Sequence, residues 1–298
     1  MNYLPDEFFP IKRSFPERAA NWVRCNDKCR IHKYDNILRV TEYIVRAPMP
    51  EVVGKKIAFV SDWHWYGSAT NFKVLEALEK ALSKNEVDYL ILGGDICEDA
   101  DRIDKLPSLL KRLRILAKQC LAIPGNWESG KRWLPENFWK DLYAEQGITF
   151  LKNDYFQDEF FRFHGIDDIS SGDCRFGKNM KPIGSLPVAE IMLAHNPDTV
   201  IALDENGALR DMDVILCGHN HGGQIRLPFI GALYCPSRYG RYFDRGEFSR
   251  QATHLRMIIS NGMGEASETF RWNCSREAVI VSFRPSKHYR LRNKKTAR

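Results

Sequence analysis

Short apolar runs alternate with amphipathic stretches through the first half of this chain. Ile57–Val60, Val87–Leu92 and Cys120–Ile123 are almost wholly apolar. Runs of this length read as strands covered on both faces. Between them, Phe72, Leu75, Leu78, Ala81 and Leu82 recur at helical spacing, and Leu106–Leu116 forms a second helical face with a basic outer side. The order β-α-β-α-β predicts parallel strands joined by right-handed crossovers. Beyond Gly147 the strand-like runs crowd together: Ile148–Leu151, Phe160–His164, Ile191–Ala194, Val214–Cys217, Gln224–Leu227, Met257–Ser260 and Ala278–Phe283. Two packed sheets flanked by helices would use them all, an α/β fold. No repeat or linker divides the core. The stretch from Asp167 to Leu186 reads as a long loop and a candidate substrate loop.

The ends differ from this core. Residues 1–55 read as an aromatic and basic arm, 56–284 as the folded domain and 285–298 as a basic tail. In the arm, Tyr3, Leu4, Phe8, Phe9, Ile11, Phe15 and Trp22 mix with Lys12, Arg13, Arg18 and Arg24. Pro5, Pro10 and Pro16 forbid one long helix there; a short one is expected from Glu17. Such a segment suits either packing onto the domain or a lipid headgroup interface.

Composition changes the picture only at the ends. With 44% hydrophobic and 28% charged residues, the 298-residue chain has an ordinary globular balance. The net charge of +6 comes from seven Lys/Arg between Arg284 and Arg298; the remainder has 37 basic against 38 acidic residues. A tail of this kind is drawn to anionic membranes or nucleic acid, or stays solvated. No apolar run is long enough to span a bilayer, and no charged-then-apolar stretch opens the chain. The expectation is a cytoplasmic protein, peripheral at the membrane face. The eight scattered cysteines form no disulfide framework, and Cys25, Cys29 and His32 lack a fourth zinc ligand.

The candidate chemistry lies just after the apolar runs. Asp62 and His64 follow Val60, Asp95 follows Gly93-Gly94, and Asn126, Trp127 and Glu128 follow Gly125. His195 follows Leu193-Ala194, and His219 and His221 flank Asn220 between glycines. Any one of these has a plainer reading: a helix cap for Asp, a hydrogen-bonded structural His, a Gly-Gly-Asp turn. Five such motifs in order, each after a strand, place their side chains where α/β folds build sites. Two carboxylates, four imidazoles and an amide suit a pair of divalent metals with mixed N/O preferences.

This order resembles the calcineurin-like metallophosphoesterases over roughly residues 56–283. The stretch His219-Asn220-His221-Gly222-Gly223-Gln224-Ile225-Arg226-Leu227-Pro228 looks closer still to their YkuE/YaeI-like phosphodiesterase subgroup. Tyr239–Tyr242, Asn261–Gly264 and Phe270–Cys274 look similar to it too. The resemblance implies a four-layer α-β-β-α sandwich with two mixed sheets. It implies one metal on Asp62, His64 and His221, a second on Asn126, His195 and His219, and Asp95 bridging. Two divalent ions are implied, manganese, iron or zinc, with manganese favoured.

One position departs from the family pattern. Most members have a His after the Asn, which assists the leaving group; here it is Trp127. An indole N–H donates a hydrogen bond but transfers no proton near neutral pH. This favours a phosphoanhydride, whose leaving phosphate needs little protonation, with Glu128 as a substitute acid. Some UDP-2,3-diacylglucosamine pyrophosphatases, including a chlamydial type similar to this subgroup, also lack that His. The resemblance therefore implies hydrolysis of a lipid-linked pyrophosphate in lipid A synthesis, with Arg132, Arg226 and Arg241 as candidate phosphate contacts alongside Trp127. The alternatives are another lipid or nucleotide phosphodiester, a non-catalytic scaffold that would have shed its ligands, and a nuclease supported by the tail alone. Protein partners are not legible.

Overall fold

The computed structural model describes residues 20–25, 29–131, 134–175, 188–251, 253–266 and 270–286. The first sheet is built from β1 (Trp22–Arg24), β8 (Asp154–Gln157), β9 (Phe161–Ile166), β10 (Ala189–Ala194), β11 (Val214–Cys217), β14 (Gly246–Arg250) and β15 (Arg256–Ile259). Its order is β1-β14-β15-β11-β10-β9-β8. The second uses β2 (Arg30–Tyr34), β3 (Leu38–Arg46), β4 (Lys56–Val60), β5 (Tyr89–Leu92), β6 (Gln119–Ala122), β7 (Thr149–Phe150) and β16 (Arg276–Arg284), in the order β2-β3-β16-β4-β5-β6-β7. A small hairpin, β12 (Arg226–Leu227) with β13 (Gly231–Ala232), stands apart from both. The central strands β4, β5 and β6 are parallel, as are β9, β10, β11 and β15, while β16 runs antiparallel to β4.

Side chains alternate across each strand, and this sorts the core into layers. Ile57 and Phe59 face Phe161, Phe163, Ile191 and Leu193 in the space between the sheets. Ala58 and Val60 point the other way, under the helices Ala69–Asn85, Leu106–Arg114 and Phe138–Glu145. On the far side, Met192, Ala194, Ile215 and Cys217 pack beneath the helix Pro197–Glu205. The result is helices, sheet, sheet, helix: a mixed α/β sandwich of four layers. Among the described residues no helix is long and apolar enough to cross a membrane.

The domain boundary read from the sequence needs correction. Residues 1–19 and 26–28 lie outside the described residues, but the expected arm also contains β1, β2 and β3, which belong to the sheets. Strand β3 pairs in parallel with β16 from Leu38–Arg276 to Arg46–Arg284, and β1 closes the edge of the other sheet. Trp22 is fully buried rather than offered to a lipid. Residues 20–24 form a turn and a strand, not the expected helix. The physical reason is a polar patch inside β3. Thr41 and Arg39 both hydrogen-bond the buried Glu277 carboxylate, so the strand carries polar residues that break its apolar alternation. Residues 287–298 of the basic tail also lie outside the described residues.

Candidate metal centre

All five ligand loops leave the C-terminal ends of parallel strands. Those after β4, β5 and β6 belong to one sheet; those after β10 and β11 belong to the other. The site therefore straddles one edge of the sandwich, as open α/β sheets favour. The loops are tied to each other by backbone hydrogen bonds. Asp62 N donates to Gly94 O (2.9 Å), His64 N to Asp95 O (3.1 Å), Gly218 N to His195 O (2.8 Å) and Gly264 N to Asp62 O (2.7 Å).

The ligand backbones are unusual. Asp62, His64, Asp95, His219 and His221 all have positive φ, between 42° and 70°. Non-glycine residues rarely take this left-handed conformation, and each such position costs roughly 1–3 kcal/mol. Here it turns successive side chains into one cavity. Gly94, with φ +90°, makes room: a Cβ there would lie 2.8 Å from His195 Nδ1 and 2.5 Å from Gly125 N.

Six of the side chains fall into two buried groups: Asp62, His64 and His221; Asp95, His195 and His219. Within each group one candidate ligand atom per residue lies within 4.8 Å of the others. His64 Nε2 and His221 Nε2 face each other at 3.1 Å, and His195 Nε2 is 3.1 Å from Asp95 Oδ2. Asp62 Oδ1 lies 3.5 Å from His221 Nε2 and 3.8 Å from His195 Nε2, so the groups adjoin. Asn126 Oδ1 is 2.8 Å from His219 Nδ1 and joins the second group. Thus the structure brings all seven residues together.

The outer ring nitrogens are held in place. His195 Nδ1 lies 2.7 Å from Gly93 O, His219 Nε2 2.9 Å from Pro236 O, and His64 Nδ1 2.9 Å from Glu98 Oε2. A carbonyl partner makes that nitrogen the donor and leaves the other ring nitrogen to ligate. In His195 that leaves Nε2, buried beside Asp95, to ligate. His221 Nδ1 instead meets Arg271 Nη2 at 3.1 Å.

Charges follow from this packing. Burial opposes ionisation of Asp95, but His195 and His64 beside it and the Trp127 amide bring its pKa down to about 2. Burial likewise opposes charge on His195, yet Asp95, Asp62 and Asp168 hold its pKa well above the ordinary value. Burial, then the neighbouring His64 and Arg271, keep His221 well below its ordinary value and therefore neutral. A site whose Asp95 is ionised, and whose imidazolium charge a cation would replace, fits divalent metal ions.

Two residues assigned from sequence are already engaged. The first is Glu128. Its carboxylate is buried and accepts three backbone N–H groups, from Asp95 and Gly125 on Oε2 (2.8 and 2.7 Å) and from Ile96 on Oε1 (2.8 Å). It shapes the Asp95 and Asn126 loops. Arg226 is not free for phosphate either; Nη1 donates to Asp244 Oδ2 (2.7 Å) and Gly222 O (2.6 Å). Arg241 is exposed but donates to Ile230 O (3.1 Å) and Ala232 O (3.4 Å) of the β12–β13 hairpin. Arg132 lies outside the described residues, as do residues 176–187 of the candidate substrate loop.

Trp127 sits at the mouth of the site, 39% exposed. With Asn126, Gly130, Lys131 and Ser171 it lines a cleft of about 370 Å³. Lys131 Nζ is 5.4 Å from the centroid of its ring. Sequence reading missed Lys131, Glu98, Pro236 and Arg271. Only Arg271 had a signal, its place in the Phe270–Cys274 stretch.

Two adjoining groups of buried nitrogen and oxygen ligands, at the strand ends of a double-sheet sandwich, define a metal-dependent hydrolase. Comparison with known proteins gives the family. The calcineurin-like phosphoesterase profile matches residues 55–223, more than half of the chain. The chain belongs to that family and is a hydrolase acting on phosphate esters. It is similar to the metallophosphoesterase YkuE of Bacillus subtilis, 23% identical over 261 residues, covering 84% of this chain and 86% of that protein. It is also similar to the phosphodiesterase YaeI of Escherichia coli, 27% identical over 198 residues, covering 63% and 68%.

Proposed function

We propose that this protein hydrolyses a phosphoanhydride, and that its substrate is UDP-2,3-diacylglucosamine. The products would be UMP and 2,3-diacylglucosamine 1-phosphate, a step of lipid A synthesis. In this reading Asp62, His64 and His221 would hold one divalent ion and Asn126, His195 and His219 the other, with Asp95 available to both. The ions, with manganese as our choice, supply Lewis acidity to the phosphoryl oxygens and to an attacking water.

The observation that carries the anhydride is the wall beside Asn126. Among the described residues, it presents the Trp127 ring and the Lys131 ammonium to the cleft. The Glu128 carboxyl is turned to the backbone, where it accepts three amides. A flat aromatic face and a fixed positive charge suit a nucleotide leaving group: the ring stacks on a base, and the ammonium meets a phosphate that leaves without needing a proton.

The experiment is release of UMP from the UDP-lipid by purified protein with Mn²⁺, followed chromatographically. Rapid UMP release supports the reading. Good turnover of simple phosphodiesters with no UMP release overturns it, and favours the activity for which YaeI is named.

A further inference from the structure

The β12–β13 hairpin follows the metal loop and carries apolar side chains that no described residue covers. Its tip is Pro228-Phe229-Ile230-Gly231. Phe229 is completely exposed, at 109% relative accessibility, and its φ is +63°. A bulky residue is strained in that conformation, where glycine or asparagine fits easily. Folding therefore gains nothing from a phenylalanine here, neither burial nor turn geometry. Ile230, Leu233 and Tyr234 are exposed on the same hairpin, and Phe270 and Trp272 beside it.

The hairpin is rigidly mounted. Arg226 N donates to Trp272 O (2.9 Å), Trp272 N to Gln224 O (3.1 Å) and Leu233 N to Ile225 O (3.0 Å). Arg241 caps the two strands, as described above. Both ends of the hairpin segment meet metal-site residues: it leaves His221 through Gly222-Gly223, and the Pro236 carbonyl holds His219. Its charge is one-sided. From Gly222 to Phe243 there are three arginines and no Asp or Glu. Arg238 and Arg241 are exposed, and Arg226 pairs with Asp244.

We infer that the β12–β13 hairpin docks the protein on an anionic lipid bilayer, with Phe229 and Ile230 entering the acyl boundary and Arg238 and Arg241 meeting the headgroups. A hairpin tip of aromatic and aliphatic side chains, flanked by arginines, has the chemistry of an interfacial anchor. A protein groove would be matched by a partner with acidic side chains, and a second copy of this hairpin would bring like charges together. The inference does not depend on which phosphorus bond is cut, because membrane binding is measured without turnover.

The test is co-sedimentation of the full chain with vesicles of phosphatidylcholine and phosphatidylglycerol, and with phosphatidylcholine alone. The wild-type protein binds the mixed vesicles better. Phe229→Gly with Ile230→Ser lowers binding at least about tenfold, since each lost side chain removes a favourable apolar transfer. The same variant keeps its melting temperature and its turnover of a water-soluble phosphodiester. Glycine at 229 relieves the strained φ, so misfolding does not mimic the result. Absence of vesicle binding by the wild type, or equal binding by the variant, overturns the inference. So does a variant that loses self-association while vesicle binding stays constant, which assigns the surface to a second copy.

Discussion

Arg271 Nη2 lies 3.1 Å from His221 Nδ1, and the same guanidinium donates through Nε to Gly264 O at 2.9 Å. One buried side chain thus locks a candidate metal ligand to the loop that also receives the Asp62 backbone. Arg271→Lys cannot reproduce this fork, because an ammonium has no planar set of donors. Nη1 also donates to His221 O at 3.2 Å, so Arg271→Ala frees the His221 loop and metal affinity should fall about 10–100-fold, with less loss in Arg271→Lys. Titration of activity and of bound metal against Mn²⁺ measures it. Unchanged metal affinity in Arg271→Ala would rule out the positioning role.

Glu128→Gln separates a structural carboxylate from an acid. The amide can still accept, but its NH₂ must confront one of the three backbone N–H groups. Loss of a charged hydrogen bond and a buried unsatisfied donor together cost roughly 2–4 kcal/mol. Thermal unfolding should report that loss, while the alkaline limb of the pH–rate profile stays in place. A stable variant that loses only that limb would restore Glu128 as the proton donor.

Trp127→His addresses the leaving group. Imidazole titrates near neutrality and can protonate an alkoxide, contributing typically about 10²–10⁴-fold where it is well placed. Turnover of alkyl phosphodiesters should rise relative to anhydrides. If Trp127→Ala leaves every substrate unaffected, the wall beside Asn126 has no part in selection.

Gly94→Ala tests how tightly the loops meet. The new Cβ would press on Gly125 and the His195 ring, in a backbone conformation that L-residues avoid. A loss of at least about 2 kcal/mol in stability is expected, with weaker metal binding. Denaturant unfolding with and without Mn²⁺ checks both. A variant as stable as wild type, with equal stabilisation by metal, would show that the loops can shift apart.

The central strands were legible because β4, β5 and β6 are buried on both faces and read as unbroken apolar runs. The seven candidate ligands stand out in the sequence because side chains that share a chemistry recur after those runs. Strand β3 was not, since its partner β16 lies more than two hundred residues away and Arg39, Thr41 and Glu277 interrupt the pattern. The helix Pro197–Glu205 was hidden for a different reason: its first residue is a proline, which continues no helix but begins one well. The role of Glu128 depends on three amides brought together by two loops, a relation that no local pattern carries.

The positive φ angles at Asp62, His64, Asp95, His219 and His221 carry a consequence for transplanting this chemistry. Copying the seven side chains onto another pair of sheets would not copy the centre. Relaxed loops would fan the same imidazoles and carboxylates outward, each still correct in identity and wrong in direction. The motif is a set of backbone turns spelled in ligand residues, and the sandwich that enforces those turns is as much a part of it as the letters.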